Sequence, residues 1–380
     1  MPLLTMLFLF SSAFAHASPT PSSHEISKKG FTPSHVCASC HQTIAENWKG
    51  SMHANATVDP IFYTVFLEAS HATNGKTDVL CLSCHAPTTR LTKETDLQNP
   101  LVKEGVNCDF CHSVTGVHLS SSETLDVAPS QKKWGPIKGA NSPVHETGYS
   151  PLFEQAEFCG SCHQYTNEHG VAIFDTYAEW KKSPQAKLGE TCQTCHMPKR
   201  PGLIARSDLH PNAEHDLHSH EAAGGHSAET IKKSVTLKIG DARRSGEKIH
   251  VVVAVHNVGS GHKVPTGLPT RKLILHFKAN ASGQTLFAVD RIYQKVLTNQ
   301  RGEAITKDVD IFLAATKVQS DNRLTPGEQR EEHFTFYAPE DASVEIEASL
   351  EYWYQPRIIQ ESEMSVKIAK EKKIFTPGKQ

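Results

Sequence analysis

The sequence predicts a molecule in two parts: a mostly helical and irregular N-terminal half with little apolar core of its own, followed by an all-β sandwich. Three observations predict it. Five short cysteine units recur between Cys37 and His196, separated by Gly, Pro and short helical stretches. From Ser234 onward the hydrophobic period changes to two, the period of half-buried strands. And 380 residues exceed what one core ordinarily holds together.

The chain opens on an apolar run, Leu3 to Phe10, continued through Ala13 and Phe14 and followed by small residues. This reads as an export leader over residues 1–17, cut after Ala17 in Ala15-His16-Ala17 or after Ala15 in Ala13-Phe14-Ala15. No Lys or Arg precedes the run, a departure from the usual leader. The stretch is too short to span a bilayer, which takes about 20 apolar residues, and no later segment approaches that length. The expected product is exported to the periplasm, cell surface or extracellular space and is not an integral membrane protein. It is at most peripheral to a membrane. Formal net charge is -2, so no basic field exists to hold nucleic acid.

Residues 18–197 form the first expected domain. All ten cysteines fall into five units of one kind: Cys37-x-x-Cys40-His41, Cys81-x-x-Cys84-His85, Cys108-x-x-Cys111-His112, Cys159-x-x-Cys162-His163 and Cys192-x-x-Cys195-His196. C-x-x-C-H is the attachment pattern of c-type haem, whose vinyl groups take the two thiols while the adjacent imidazole reaches the iron. A zinc ribbon uses C-x-x-C units in pairs and needs no His after each. With 23 His in the chain, five out of five followed by His would arise by chance roughly once in a million, treating positions as independent. Disulfides would not keep to one spacing. Five covalently attached haems therefore supply the apolar volume that this half lacks.

Residues 198–230, rich in His, Gly, Ala and Asp without periodicity, read as a connector wrapping the haem domain rather than as an element. The second domain, residues 231–372, is expected to be an immunoglobulin-like sandwich. Val235, Leu237 and Ile239 alternate with polar residues, as do Val251, Val253 and Val255; then Leu273, Leu275 and Phe277; Phe334 and Phe336; and Val344, Ile346, Ala348 and Leu350. Turn signals at Ala281-Ser282-Gly283 and Thr325-Pro326-Gly327 separate them. Glu351-Tyr352-Trp353-Tyr354 is aromatic enough for a partner contact, although core packing explains such strands more simply.

Each iron needs a ligand on its second face. Only Met52 and Met197 lie in the haem region, so histidine on both faces is expected, which gives low potentials. Glu46-Asn47-Trp48-Lys49-Gly50-Ser51-Met52-His53 is echoed by Glu179-Trp180-Lys181-Lys182-Ser183-Pro184-Gln185, aligned on Trp-Lys-x-Ser, with Gln185 where the first copy has His53. The candidates are His53, on a short helix; His145, in the turn Ser142-Pro143-Val144-His145; His220, ahead of Gly224-Gly225 where backbone can approach closely; and His262, in a loop of the β half that is equally a structural turn. His71 ranks fifth. His118, His169, His210, His215, His218 and His226 read as surface residues, and His250, His256, His276 and His333 as outward-facing strand residues.

The run Cys37 to His53 with Trp48 and Ser51-Met52-His53-Ala54, the approach Gly105-Val106-Asn107-Cys108, and Thr176-Tyr177-Ala178-Glu179-Trp180 resemble the multihaem cytochrome c-554 family. Gly261-His262-Lys263-Val264-Pro265-Thr266-Gly267 is similar to a segment of the β domain behind such modules. The resemblance implies closely packed haem pairs and electron transfer. That family has four haems, so the fifth motif and the β domain depart from it.

The expected function is electron transfer between donor and acceptor proteins, without a catalytic residue. The rival is a reductase or oxidase of a small nitrogen or sulfur species at one five-coordinate haem. Against the rival, the chain has no C-x-x-C-K, the variant that pentahaem nitrite reductases use for their catalytic haem. A third reading, a subunit of a cytochrome filament, would need an exposed edge strand or apolar patch. Phosphate-loop and dinucleotide glycine motifs are absent and every thiol is committed to haem.

Overall fold

A computed structural model describes residues 25–121, 123–209, 214–354 and 365–376. The expected leader, both cleavage positions and His210 lie outside these residues.

The alternating segments form long antiparallel strands: β1 (Val235–Ser245), β2 (Lys248–Asn257), β3 (Lys272–Ala281), β4 (Gln284–Tyr293), β5 (Gln329–Tyr337), β6 (Val344–Trp353) and β7 (Ser365–Phe375). One sheet has the order β5-β2-β1 and the other β4-β3-β6-β7. Period two places one face of every strand inward. Val251, Val253, Leu273, Leu275, Phe277, Ile346 and Leu350 are fully buried and share one core. Phe277 and Phe334 stack across it with centroids 4.0 Å apart. His250, His256, His276 and His333 sit on the opposite faces. There His276 pairs with Asp290 and Glu351, and His250 stacks on His333. β7 runs three residues past the expected boundary at 372.

The first half consists of short helices and two-stranded pieces around small apolar clusters, such as Phe66, Leu82, Ala86, Leu97 and Val102. Its longest helix, Pro60–Thr73, starts with Pro at its first turn and Asp59 accepting from Phe62 N, and ends on Asn74 in the left-handed region. These are ordinary start and stop signals.

The connector is more structured than its composition suggests. Lys199–Leu203 and Glu214–His218 pair as an antiparallel hairpin, and Ala228–Ser234 is a helix capped by Ser227 and running into β1. The two halves also share packing. Val171 and Ile173 join Leu297, Ile311 and Ala315 in one cluster. Beside it, Arg323 of the β half reaches Glu179 at 2.7 Å, Asp321 at 2.8 Å and Asp175 at 3.8 Å, with Lys263 on Asp321 at 2.7 Å. Arg323 and Glu179 side chains are each 3% exposed, so these charges are matched away from water.

Candidate functional site

One continuous cavity of about 2360 Å³ runs through the first half and is closed in part by β-half loops such as Gly259 to Leu268; it is lined by all ten cysteines and by the five histidines that follow them. None of the ten is in a disulfide. Thiols of different units stand beside one another: Cys37 by Cys108, Cys84 by Cys162 and Cys159 by Cys192, with Cys111 also near Cys159. The first unit therefore adjoins the third, and the fourth adjoins the second, third and fifth. Among the described residues no three His, Cys, Asp or Glu side chains converge on one metal point.

Four of the five motif histidines have a second imidazole across the cavity. Ring centroids are 6.2 Å apart for His41 and His145, 6.2 Å for His53 and His163, 6.4 Å for His112 and His220, and 6.3 Å for His196 and His262. Iron–imidazole bonds of about 2 Å on each side, as in other metal–His bonds, with the ring radii added, require a separation of this size. His85 has no histidine ring opposite it among the described residues. Its flank is covered by Phe62, stacked at 3.8 Å.

The outer nitrogens are committed in a way that leaves the inner ones free. His85 Nδ1 bonds Ala56 O at 3.1 Å, His112 Nδ1 bonds Trp134 O at 2.6 Å, His196 Nδ1 bonds Ala223 O at 2.6 Å and His41 Nδ1 bonds Ile204 O. Across the cavity, His145 Nδ1 bonds Glu146 O at 2.9 Å, His220 bonds His218 O at 2.9 Å and His262 bonds Lys263 O at 3.0 Å. An Nδ1–H donated to a carbonyl leaves Nε2 as the lone pair that a metal takes. Burial pushes His163 down to about 3 and His220 and His262 down to about 4, which keeps these three rings neutral.

Local sequence explains how each ring is held. His53 lies in the turn after the Gln42–Lys49 helix, not on the helix expected. Val106 N donates to His53 O at 2.9 Å, and Trp48 Nε1 donates to Val106 O at 2.9 Å. Ser142 Oγ accepts from the backbone N of Val144 and His145. The second copy of the Trp-Lys-x-Ser echo holds a ligand loop instead of supplying a ligand. Gln185 and Trp180 pack beneath Gly261, and the Glu179 carboxylate accepts from Lys263 N and Thr266 Oγ1.

Two sequence readings need correction. His71 is exposed on the Pro60–Thr73 helix and does not border the cavity, because the helix turns Phe66 and Ala69 inward. His218, read as a surface residue, is half-buried and borders it, whereas His226, exposed as read, stands at its edge. The connector hairpin brings His218 against Met197 O at 2.6 Å, leaving its Nε2 buried without a protein partner; Tyr354 flanks His226 at 5.5 Å. Glu351-Tyr352-Trp353-Tyr354 serves an internal contact, Tyr354 donating to Gly225 O. Gly225 meets the Arg271 guanidinium, where a Cβ would stand 3.0 Å from its nitrogen. His118 and His169 are exposed, as is His215.

Thiols in vicinal pairs, each with an imidazole beside it and all lining one apolar cavity, define a multihaem c-type cytochrome, and the chain carries five covalently bound c-type haems. Residues 36–113, which contain the first three units, match the family described as cytochrome c554 and c-prime. The fold is similar to that of a penta-heme cytochrome c552 from Thermochromatium tepidum, at 25% identity and a TM-score of 0.74, covering 93% of this chain and 100% of that one. No curated protein matches the sequence. No helix among the described residues is long and apolar enough to cross a membrane.

Proposed function

We propose that this cytochrome carries electrons between redox proteins outside the cytoplasm through four bis-histidine haems and one haem with a single histidine. The observation that carries the reading is the set of four imidazole pairs at 6.2 to 6.4 Å. The pairs are His41 with His145, His112 with His220, His163 with His53, and His196 with His262. Two imidazoles give low-spin, low-potential iron that exchanges an electron with little change in its surroundings. Thiol contacts between units support a haem order of first, third and fourth, with the second and fifth both beside the fourth. The fourth haem is then the junction. The apolar run from Leu3 to Phe10, continued through Ala13 and Phe14, supports export. The three-plus-four strand count supports an immunoglobulin-like sandwich, which lends His262 to the fifth haem.

A second reading attaches to His85. Its lack of an opposing histidine ring supports an open iron position that would accept a small nitrogen or sulfur species, with electrons fed through the fourth haem. Electron paramagnetic resonance of the oxidised protein tests both readings. Four low-spin irons and one high-spin iron are expected. Five low-spin irons would remove the open site, and two or more high-spin irons would remove the pairing above.

A further inference from the structure

The fifth unit reaches the surface where the others do not. Cys195 is the one exposed cysteine of the ten, and Leu188, four residues before Cys192, is 77% exposed, the most exposed large apolar side chain among the described residues. Around them Lys181, Lys182 and Lys187 are exposed. None of the three makes an ion pair among the described residues, and Lys181 rests over the Tyr177 ring at 5.7 Å. Glu190 is the only acidic residue from 181 to 195. This positive face belongs to a chain whose formal net charge is -2.

The surface is also preformed. Ser183 caps the Pro184–Lys187 helix through Ala186 N, Trp180 Nε1 donates to Glu190 O at 2.8 Å, and a Thr191/Thr194 capping box fixes the Cys192–His196 helix. A rigid face loses little freedom on docking. Lysines at a rim speed encounter without needing burial, whereas an exposed leucine at the centre gains by being covered.

We propose that this face is the electron port of the molecule, and that its partner is a redox protein presenting acidic side chains around its own cofactor. One electron leaves the partner's reduced centre and converts the ferric iron at His196 to ferrous, or the reverse. From there the fourth haem distributes charge. The proposal rests on haem attachment at Cys192 and Cys195 and is independent of whether the His85 iron is open.

The test uses the intact five-haem protein. Stopped-flow traces follow its reduction by reduced plant-type [2Fe–2S] ferredoxin, an acidic protein, and its reoxidation by anionic ferricyanide and cationic hexaammineruthenium(III), at low and high ionic strength. The variant K181E/K182E/K187E is compared with K248E/K278E/K317E, which makes the same charge change on exposed lysines of the β half. At low salt the first variant is expected to slow ferredoxin and ferricyanide about tenfold or more, to speed the ruthenium complex, and to converge with wild type at high salt. Leu188→Ser is expected to slow ferredoxin and leave ferricyanide unchanged. Equal slowing in both lysine variants, slowing in neither, or an unaltered ferredoxin rate in Leu188→Ser would overturn the proposal. So would a wild-type dimer that Leu188→Ser converts to monomer, since the face would then be occupied by a second copy.

Discussion

The carbonyl oxygen of His53 lies 2.5 Å from where a Cβ at residue 105 would stand, and residue 105 is glycine at φ +65. The next amide, Val106 N, donates to that same carbonyl. A position more than 50 residues away in sequence thus sets the height of His53 over the cavity, through backbone alone.

Gly105→Ala should therefore act on the iron paired with His163. A side chain there meets the His53 carbonyl and is strained at positive φ, a cost of about 1 kcal/mol before the clash is counted. The expected outcome is a new high-spin signal, with five haems still attached and a lower melting temperature. An unchanged spin-state spectrum would detach His53 from that iron.

His53→Met should leave a six-coordinate iron and raise one of the five midpoint potentials, because thioether ligation favours the ferrous state relative to imidazole. A spectroelectrochemical titration reads this directly, and superimposable curves would remove His53 from the ligand set. His71→Ala, by contrast, should change neither curve nor spectrum, since His71 stands outside the cavity.

Removing Arg323 leaves the Glu179 carboxylate buried without its cation. Arg323→Met is expected to destabilise the protein by about 3–5 kcal/mol, measured by chemical denaturation. Adding Glu179→Leu should recover part of the loss, because the pair is then replaced rather than broken. If the single and double variants are equally destabilised, the two side chains do not act as a pair.

The same network makes a pH prediction. Burial pushes Asp321 up, but hydrogen bonds from Arg323 and Lys263 outweigh it and hold the carboxyl well below its usual range. A carboxyl depressed in the folded state stabilises above its unfolded value, and that contribution disappears as pH falls below about 4 toward the folded value. Asp321→Asn should flatten the acid side of a melting-temperature profile while leaving the neutral side lower. A profile parallel to wild type would exclude the linkage.

What the sequence made legible was what is encoded locally. The five C-x-x-C-H units carry their chemistry within five residues, and alternation in Val251 to Val255 or Leu273 to Phe277 shows directly which face is inward. Histidines that stand across the cavity from motif histidines were reached through local punctuation: Ser142-Pro143 before His145, the Trp-Lys-x-Ser echo before His53. Which ring stands across from which was not legible, because His41 and His145 meet only through tertiary packing. His71 misled because a helix with apolar residues on several sides does not announce which side faces solvent. The hairpin 199–203 with 214–218 was hidden for a similar reason. Its strands contain Pro201, Gly202 and charged residues, and their pairing depends on packing beside Met197 rather than on propensity.

The ligand pairs proposed above also act as cross-links. Each of the four paired irons would close a loop of chain, three of them roughly 100 residues long, where closure restricts the unfolded ensemble most. The loops 41–145, 53–163 and 112–220 overlap, and 196–262 begins before the third ends. No one staple can be opened without loosening segments held by the next. Such a chain should come apart as one unit despite its thin protein core, and a cell that attaches four haems instead of five would produce a molecule with a slack link rather than a smaller intact one.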